Sequence, residues 1–234
     1  MRSKKVLFVQ HGDTDKPGLL GEVLTQRGMS LDVLRSDLGQ PVPVTLEGYD
    51  GLALGGGAQG VYEQDQYPYL GAETNLVRQV VSEGKPIIGL CLGAQLMAAG
   101  LGAEVRKAPH REVGFYRVTL DPIADYDPIW GGLPKDFVTT HWHGDVFEIP
   151  VGGMRLGSSE LTPNQLFRYG HSLYGMQFHL EMTPEILAEM VEDSRDYLTE
   201  SGVDPDIMVS QGKECLPVLR ETAIEVFTRW SDLL

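Results

Sequence analysis

Residues 85–95, from Lys85 to Gln95, constrain this chain more tightly than any other stretch. A short apolar run, Ile87-Ile88, leads into Gly89-Leu90-Cys91-Leu92-Gly93, and apolar residues then recur with helical spacing at Leu96, Met97, Ala99 and Leu101. A strand that ends in a tight turn and opens a helix forms a nucleophile elbow, here with Cys91 in the serine position. The flanking glycines allow the sharp turn and leave room around the side chain. The thiol then stands at a helix N-terminus, whose partial positive charge favours thiolate. Taken alone, the segment also reads as a small cysteine packed between a strand and a helix.

A second segment supplies what a cysteine nucleophile requires. Tyr174 to Glu181 reads as a strand, and Thr183-Pro184 comes next as an N-cap and a first helical residue. In an extended chain His179 and Glu181 share one face, which sets a carboxylate beside an imidazole base. Distance along the chain from Cys91 is no obstacle, because such partners meet only in the fold. By itself the pair also reads as a surface His–Glu pair at a strand end.

The surrounding pattern gives the fold class. Apolar strands at 6–9, 31–34, 52–54 and 87–88 alternate with helix faces at Leu19, Leu20, Val23 and Leu24 and at Leu76, Val77, Val80 and Val81. Short, fully apolar strands alternating with helices predict an α/β fold, a mostly parallel central sheet with helices on both faces. Residues 103–178 change to alternating, strand-rich sequence, with strands at 115–120 and 137–140. Residues 121–135, with prolines at 122, 128 and 134, read as an irregular surface connection. Two helices close the chain, one from 184 to about 199 and one from 205 onward. The second is amphipathic through Leu216, Leu219, Ala223, Val226, Phe227 and Trp230, and it contains Cys215, read as a core or interface residue. At 234 residues and 42% hydrophobic, the chain fits one core and hence one domain over 1–234. Its catalytic core is expected over about 5–190, with a C-terminal helical extension over about 184–234.

Composition narrows the partners. A net charge of −14 argues against nucleic acid and against an anionic membrane surface. The basic start, Met1 to Lys5, leads into too short an apolar run for a signal peptide, and no stretch approaches membrane-spanning length. Two cysteines provide no disulfide framework, so a reducing cytoplasm is the expected location.

Several segments, taken together, carry a resemblance. Gly89 to Gln95 and Gln177-Phe178-His179-Leu180-Glu181 resemble the class I (triad) glutamine amidotransferases. So do Gly55 to Tyr62, Arg111 to Phe115, His141-Trp142-His143-Gly144-Asp145 and Gln165-Leu166-Phe167-Arg168. The chain is most similar to the free-standing, glutamine amidotransferase-like branch that also includes gamma-glutamyl peptidases. The resemblance implies a single-domain, flavodoxin-like α/β fold and a catalytic triad of Cys91, His179 and Glu181. It implies an oxyanion hole formed by the Gly57 and Leu92 N–H groups. It also implies a glutamine pocket that uses Gln95, with Gln165, Leu166, Phe167 and His143 as further substrate-binding residues. Ala58 and Leu180 stand where the family often has proline, and neither departure removes a catalytic group.

Two motifs admit other readings. Residues 55–60 match Gly-x-Gly-x-x-Gly, but the next residues, from Val61 to Pro68, do not read as the helix that would receive a pyrophosphate. His141-x-His143-x-Asp145 has the spacing to ligate zinc from a strand edge. No further ligands accompany it in the sequence, so it is read as the family's His-Gly-Asp loop, with neither a metal nor a cofactor expected. His11, His110 and His171 are assigned ordinary structural or surface roles.

Three functions are compatible with these residues, in descending order. The first is a class I amidotransferase that hydrolyses the glutamine side-chain amide through a gamma-glutamyl thioester and releases ammonia to a separate synthase subunit. The second is a stand-alone hydrolase of gamma-glutamyl peptides or amides. The third is a catalytically silent glutamine-binding regulatory module, which the intact triad disfavours.

Overall fold

The computed structural model describes residues 2–234. The first half alternates strand and helix: β1 (Lys5–Gln10), α1 (Gly18–Gln26), β2 (Ser30–Arg35), β3 (Gly51–Leu54), α2 (Pro68–Ser82), β4 (Ile87–Leu90) and α3 (Leu92–Gly100). Five strands come next: β5 (Val105–Leu120), β6 (Asp136–Phe147), β7 (Gly153–Ser158), β8 (Leu166–Tyr169) and β9 (Leu173–Met176). Three helices end the chain: α4 (Pro184–Asp193), α5 (Arg195–Glu200) and α6 (Pro205–Ser231).

All described strands join one sheet in the order β2-β1-β3-β4-β9-β8-β7-β5-β6. From β2 to β9 the pairings are parallel, and from β9 to β6 they are antiparallel. Successive side chains of a strand point to opposite faces, and β1 shows the consequence. Val6 and Phe8 join the core beneath α1, α4 and α6, while Leu7 and Val9 join the core beneath α2 and α3. Fully burying side chains of this size contributes about 1.5–3 kcal/mol each, so the inner strands β1, β3 and β4 are anchored from both sides. At the sheet's edge β2 is only half-buried. This is the α/β architecture that the apolar periodicity predicts. No described helix is long and apolar enough to cross a membrane.

Three local expectations need correction. The strand predicted through Glu181 stops at Met176. Beyond it the backbone changes partners, with the Gln177 N–H bonding the Gln165 carbonyl at 2.8 Å and the His179 N–H bonding the Thr140 carbonyl at 2.8 Å. Although β6 is the last strand in the sheet order, a single antiparallel bridge joins Thr140 to His179, so the sheet curls back over the end of β9. The helix predicted over 184–199 breaks at Ser194, whose backbone is non-helical (φ −117°, ψ 28°). The connection over 121–135 is not merely superficial, because it begins with a 3₁₀ turn at Pro122–Tyr126 and sends Ile129 and Trp130 into the core.

Candidate active site

Cys91 sits between β4 and α3 with φ 51° and ψ −108°. Among the described residues it is the only non-glycine with positive φ, a conformation that costs on the order of 1–3 kcal/mol and persists only where its surroundings enforce it. Here the Cys91 N–H bonds the Met176 carbonyl at 2.8 Å, and the Gly93 N–H bonds the Gly55 carbonyl at 3.0 Å. A Cβ on Gly93 would lie 2.2 Å from the Leu54 carbonyl oxygen, and one on Gly89 would lie 2.6 Å from the Gly93 carbonyl carbon. The glycines on either side are therefore set by close backbone approach to β3 and within the elbow itself.

The same curl that ends β9 brings His179 and Glu181 to the elbow. His179 Nδ1 lies 2.7 Å from Glu181 Oε1, and both side chains are buried. Nε2 of His179 is buried without a hydrogen-bond partner, which leaves it free to exchange a proton with a reacting group. Burial alone would push the His179 pKa down, but the Glu181 carboxylate and the Cys91 sulfur outweigh it and hold the imidazole well above its ordinary value. The thiol is nearly enclosed, with Cys91 4% exposed. Its Sγ lies 3.7 Å from the Trp142 carbonyl oxygen and 3.6 Å from the Gln177 side-chain amide nitrogen.

The Leu92 N–H is the first of α3 and belongs to the helix-end donors that have no intrahelical acceptor. Facing it is the loop of Gly55 to Gly57, where a Cβ on Gly57 would meet Leu92 Cδ2 at 2.6 Å. The Gly55–Gly57 loop and the start of α3 thus pack together directly beside the residue that carries the thiol. A buried pair absent from the sequence reading supports this loop. His11 Nδ1 donates to the Gly56 carbonyl at 2.7 Å, and its Nε2 lies 2.8 Å from Glu73 Oε2. Burial opposes protonation of His11, yet Glu73 and the Gly56 carbonyl raise its pKa overall. His11 therefore has a structural role of a specific kind, tying β1 and α2 to the loop beside the thiol. Asp15 also approaches, with burial raising its pKa against the opposing influence of His11 and His179.

The residues expected to line a glutamine pocket divide. The buried Gln95 bonds through its side-chain nitrogen to Gln177 Oε1 at 3.1 Å and to the Asp145 carbonyl at 3.4 Å, on the path from the thiol to β6. Leu166 and Phe167 are wholly buried, in opposite cores, so neither presents surface to a substrate. Gln165 and His143 are drawn instead to Glu112, in a cluster that adjoins the Gln95 contacts through the shared Asp145 carbonyl. The Gln165 amide donates to Glu112 Oε2 at 2.7 Å, and Glu112 Oε2 lies 3.0 Å from His143 Nε2 and 3.8 Å from His141 Nδ1. Burial would raise the Glu112 pKa, but hydrogen bonds from His143 and Ser159 overcome it and hold the carboxyl down to about 2. Burial pushes His141 down to about 3. The His-Gly-Asp segment lies within β6 rather than in a loop.

Sequence reasoning missed Gln177, His11, Glu73 and Glu112 as contributors to these contacts. Gln177 had a signal, since it stands two residues before His179 in the same motif. Glu112 had one too, since it stands in the Arg111–Phe115 segment, whereas His11 and Glu73 meet only from distant elements and carried none.

The family described as "Glutamine amidotransferase class-I" matches residues 19–194. The glutamine amidotransferase-like protein YfeJ of Salmonella typhimurium is 30% identical over 200 residues, covering 84% of each chain. A glutamine-hydrolysing GMP synthase subunit of Thermoplasma volcanium is 32% identical over 163 residues, covering 68% of this chain and 75% of its own. Among solved structures, a glutamine amidotransferase of Thermotoga maritima superposes with a TM-score of 0.90 at 28% identity, covering 98% of this chain and 99% of that one.

Proposed function

The chain belongs to the class I glutamine amidotransferase family, and from that premise we propose that it hydrolyses the side-chain amide of glutamine through a thioester on Cys91. The observation that carries the reading is the buried His179–Glu181 pair at 2.7 Å, whose Nε2 is open beside the elbow cysteine. The Cys91 thiolate attacks the amide carbon. The Gly57 and Leu92 N–H groups receive the oxyanion, each such donor being worth roughly 3 kcal/mol in the transition state. His179 gives its Nε2 proton to the departing nitrogen, which leaves as ammonia while the C–N bond breaks and a gamma-glutamyl thioester remains. Water then loses a proton to His179 and attacks the thioester. Glutamate departs and the thiolate is restored. Glu181 fixes the imidazole tautomer and stabilises its cation throughout.

The acceptor of the ammonia is proposed to be a synthase on a separate chain, a reading supported by the relative named as one subunit of a GMP synthase. Both cysteines are free thiols, which supports a reducing, cytoplasmic setting. Hydrolysis of gamma-glutamyl peptides uses the same steps with a larger leaving amine. The near-complete enclosure of Cys91 favours the smaller leaving group. The test is glutamate release from glutamine and from a gamma-glutamyl dipeptide at equal concentrations. Preference for glutamine supports the amidotransferase reading, and preference for the dipeptide replaces it with a peptidase.

A further inference from the structure

Between β5 and β6 lies a second polar cluster that the hydrolysis does not use. Glu112 and His143 are directly paired in register across the two strands, and His141 projects from the same face of β6 two residues earlier. One ligand atom from each, Glu112 Oε2, His141 Nδ1 and His143 Nε2, lies within 4.8 Å of the others, and all three residues are buried. We propose that these residues, with Gln165, form a structural site for a divalent transition metal of the zinc type. This inference is independent of the role assigned to Cys91.

Spacing gives the first argument. Tetrahedral zinc with Zn–N bonds of about 2.0–2.1 Å has ligand-to-ligand edges of about 3.3 Å. Glu112 Oε2 lies 3.0 Å from His143 Nε2 and 3.8 Å from His141 Nδ1. The Gln165 amide nitrogen lies 2.7 Å from Glu112 Oε2, 3.3 Å from His141 Nδ1 and 3.5 Å from His143 Nε2. These separations bracket the tetrahedral edge. Gln165 Oε1, by contrast, is buried with no partner at all. A half-turn of the amide brings that oxygen to the shared point, where it serves as a fourth ligand once a cation neutralises its approach to Glu112.

The outer contacts of His143 and Glu112 give the second argument, because metal-bound histidines and carboxylates are held by further hydrogen bonds, although His141 Nε2 is buried with no such partner. His143 Nδ1 lies 3.0 Å from the Asp145 carbonyl and donates to it, which turns the other nitrogen's lone pair toward Glu112. Ser159 Oγ donates to Glu112 Oε1 at 2.6 Å and leaves Oε2 for the cluster. With Nδ1 committed to the Asp145 carbonyl, His143 Nε2 and Glu112 Oε2 stand 3.0 Å apart, a contact that a proton on Nε2 or a cation between the two atoms satisfies. Imidazole, carboxylate and amide donors suit zinc rather than calcium or a thiolate-seeking metal.

The test uses the full chain with Cys91→Ala, so that the thiol cannot compete for metal. The chelator-stripped protein is titrated with Zn²⁺ against a chromogenic competitor, and with Co²⁺ while its visible spectrum is followed. One equivalent per chain and a tetrahedral Co²⁺ spectrum are expected, with binding weakened at least about 100-fold by Glu112→Gln or His141→Gln. Ser159→Ala removes no ligand, only the Oγ contacts to Glu112 Oε1, the Gln165 amide and the Thr162 N–H, and is expected to weaken binding about 10–100-fold with the fold intact. Failure of the folded Cys91→Ala protein to take up either ion overturns the proposal. So does uptake that is unchanged by Ser159→Ala and by both ligand substitutions.

Discussion

Replacing His11 with leucine tests whether a buried charge pair positions the loop that carries Gly57. Glu73 is 0% exposed, its Oε1 already has no partner, and its Oε2 is held by His11. The His11→Leu protein therefore retains a buried carboxylate without that charged partner, a defect worth about 3–5 kcal/mol. The lost bond to the Gly56 carbonyl adds about 1 kcal/mol. A combined loss of about 4–6 kcal/mol is a large share of the stability of an ordinary domain. The sign with pH comes from the raised pKa of His11. A raised group stabilises fully below its unfolded value near 6.5 and loses that contribution as pH rises through its folded value. The gap between wild type and His11→Leu in urea melts should thus be widest below pH 6.5 and narrow at alkaline pH. Adding Glu73→Leu removes the stranded charge, so the double variant should be more stable than His11→Leu alone. Loss of the Gly56 anchor shifts the neighbouring Gly57 N–H, and in the proposed mechanism misplacing that oxyanion donor lowers kcat by roughly 10²–10³. Glutamate release from glutamine, measured where the variant remains folded, reads that loss. A His11→Leu protein within about 0.5 kcal/mol of wild type at full turnover would refute the reasoning, since that is the scatter of an uninvolved surface substitution.

Three other predictions concern the elbow, the general base and the buried Asp127. Gly93→Ala drives a methyl to 2.2 Å from the Leu54 carbonyl oxygen, so it should destabilise the protein by about 3 kcal/mol or more in denaturant melts. Glu181→Gln removes the charge that most raises the His179 pKa. The imidazolium then loses its proton at lower pH, and the alkaline limb of the glutaminase pH profile should move down; an unmoved limb contradicts the assignment. Asp127 is buried and accepts from the Ile129 and Trp130 N–H groups and from Arg168 at 2.9 Å. Arg168→Leu should lower stability by about 1.5–3 kcal/mol in the same melts, without changing the KM for glutamine.

The parallel half was legible because apolar periodicity reports burial directly, and the runs at Val6, Leu52 and Ile87 became strands buried on both faces. The elbow was legible for a related reason: Gly89 and Gly93 mark where backbones come too close for a Cβ. Placement of His179 was only half legible. Its spacing from Glu181 indicated their contact, but the turn off β9 onto β6 depends on sheet curl, which no local pattern encodes. The same limit explains Gln165. The residue next to Leu166 and Phe167 looked like a pocket wall, yet the fold sends its amide to Glu112 on β5. His11–Glu73 was hidden because a 62-residue separation joins a strand end to a helix face only in three dimensions.

The most direct measurement compares glutamate release from glutamine by wild type, Cys91→Ala and Cys215→Ala. The account predicts a fall of about 10⁴-fold or more for Cys91→Ala, the scale on which a nucleophile's removal is felt, and near-normal turnover for Cys215→Ala. Glutamine turnover retained by a folded Cys91→Ala protein would contradict the proposed thioester and with it the central claim.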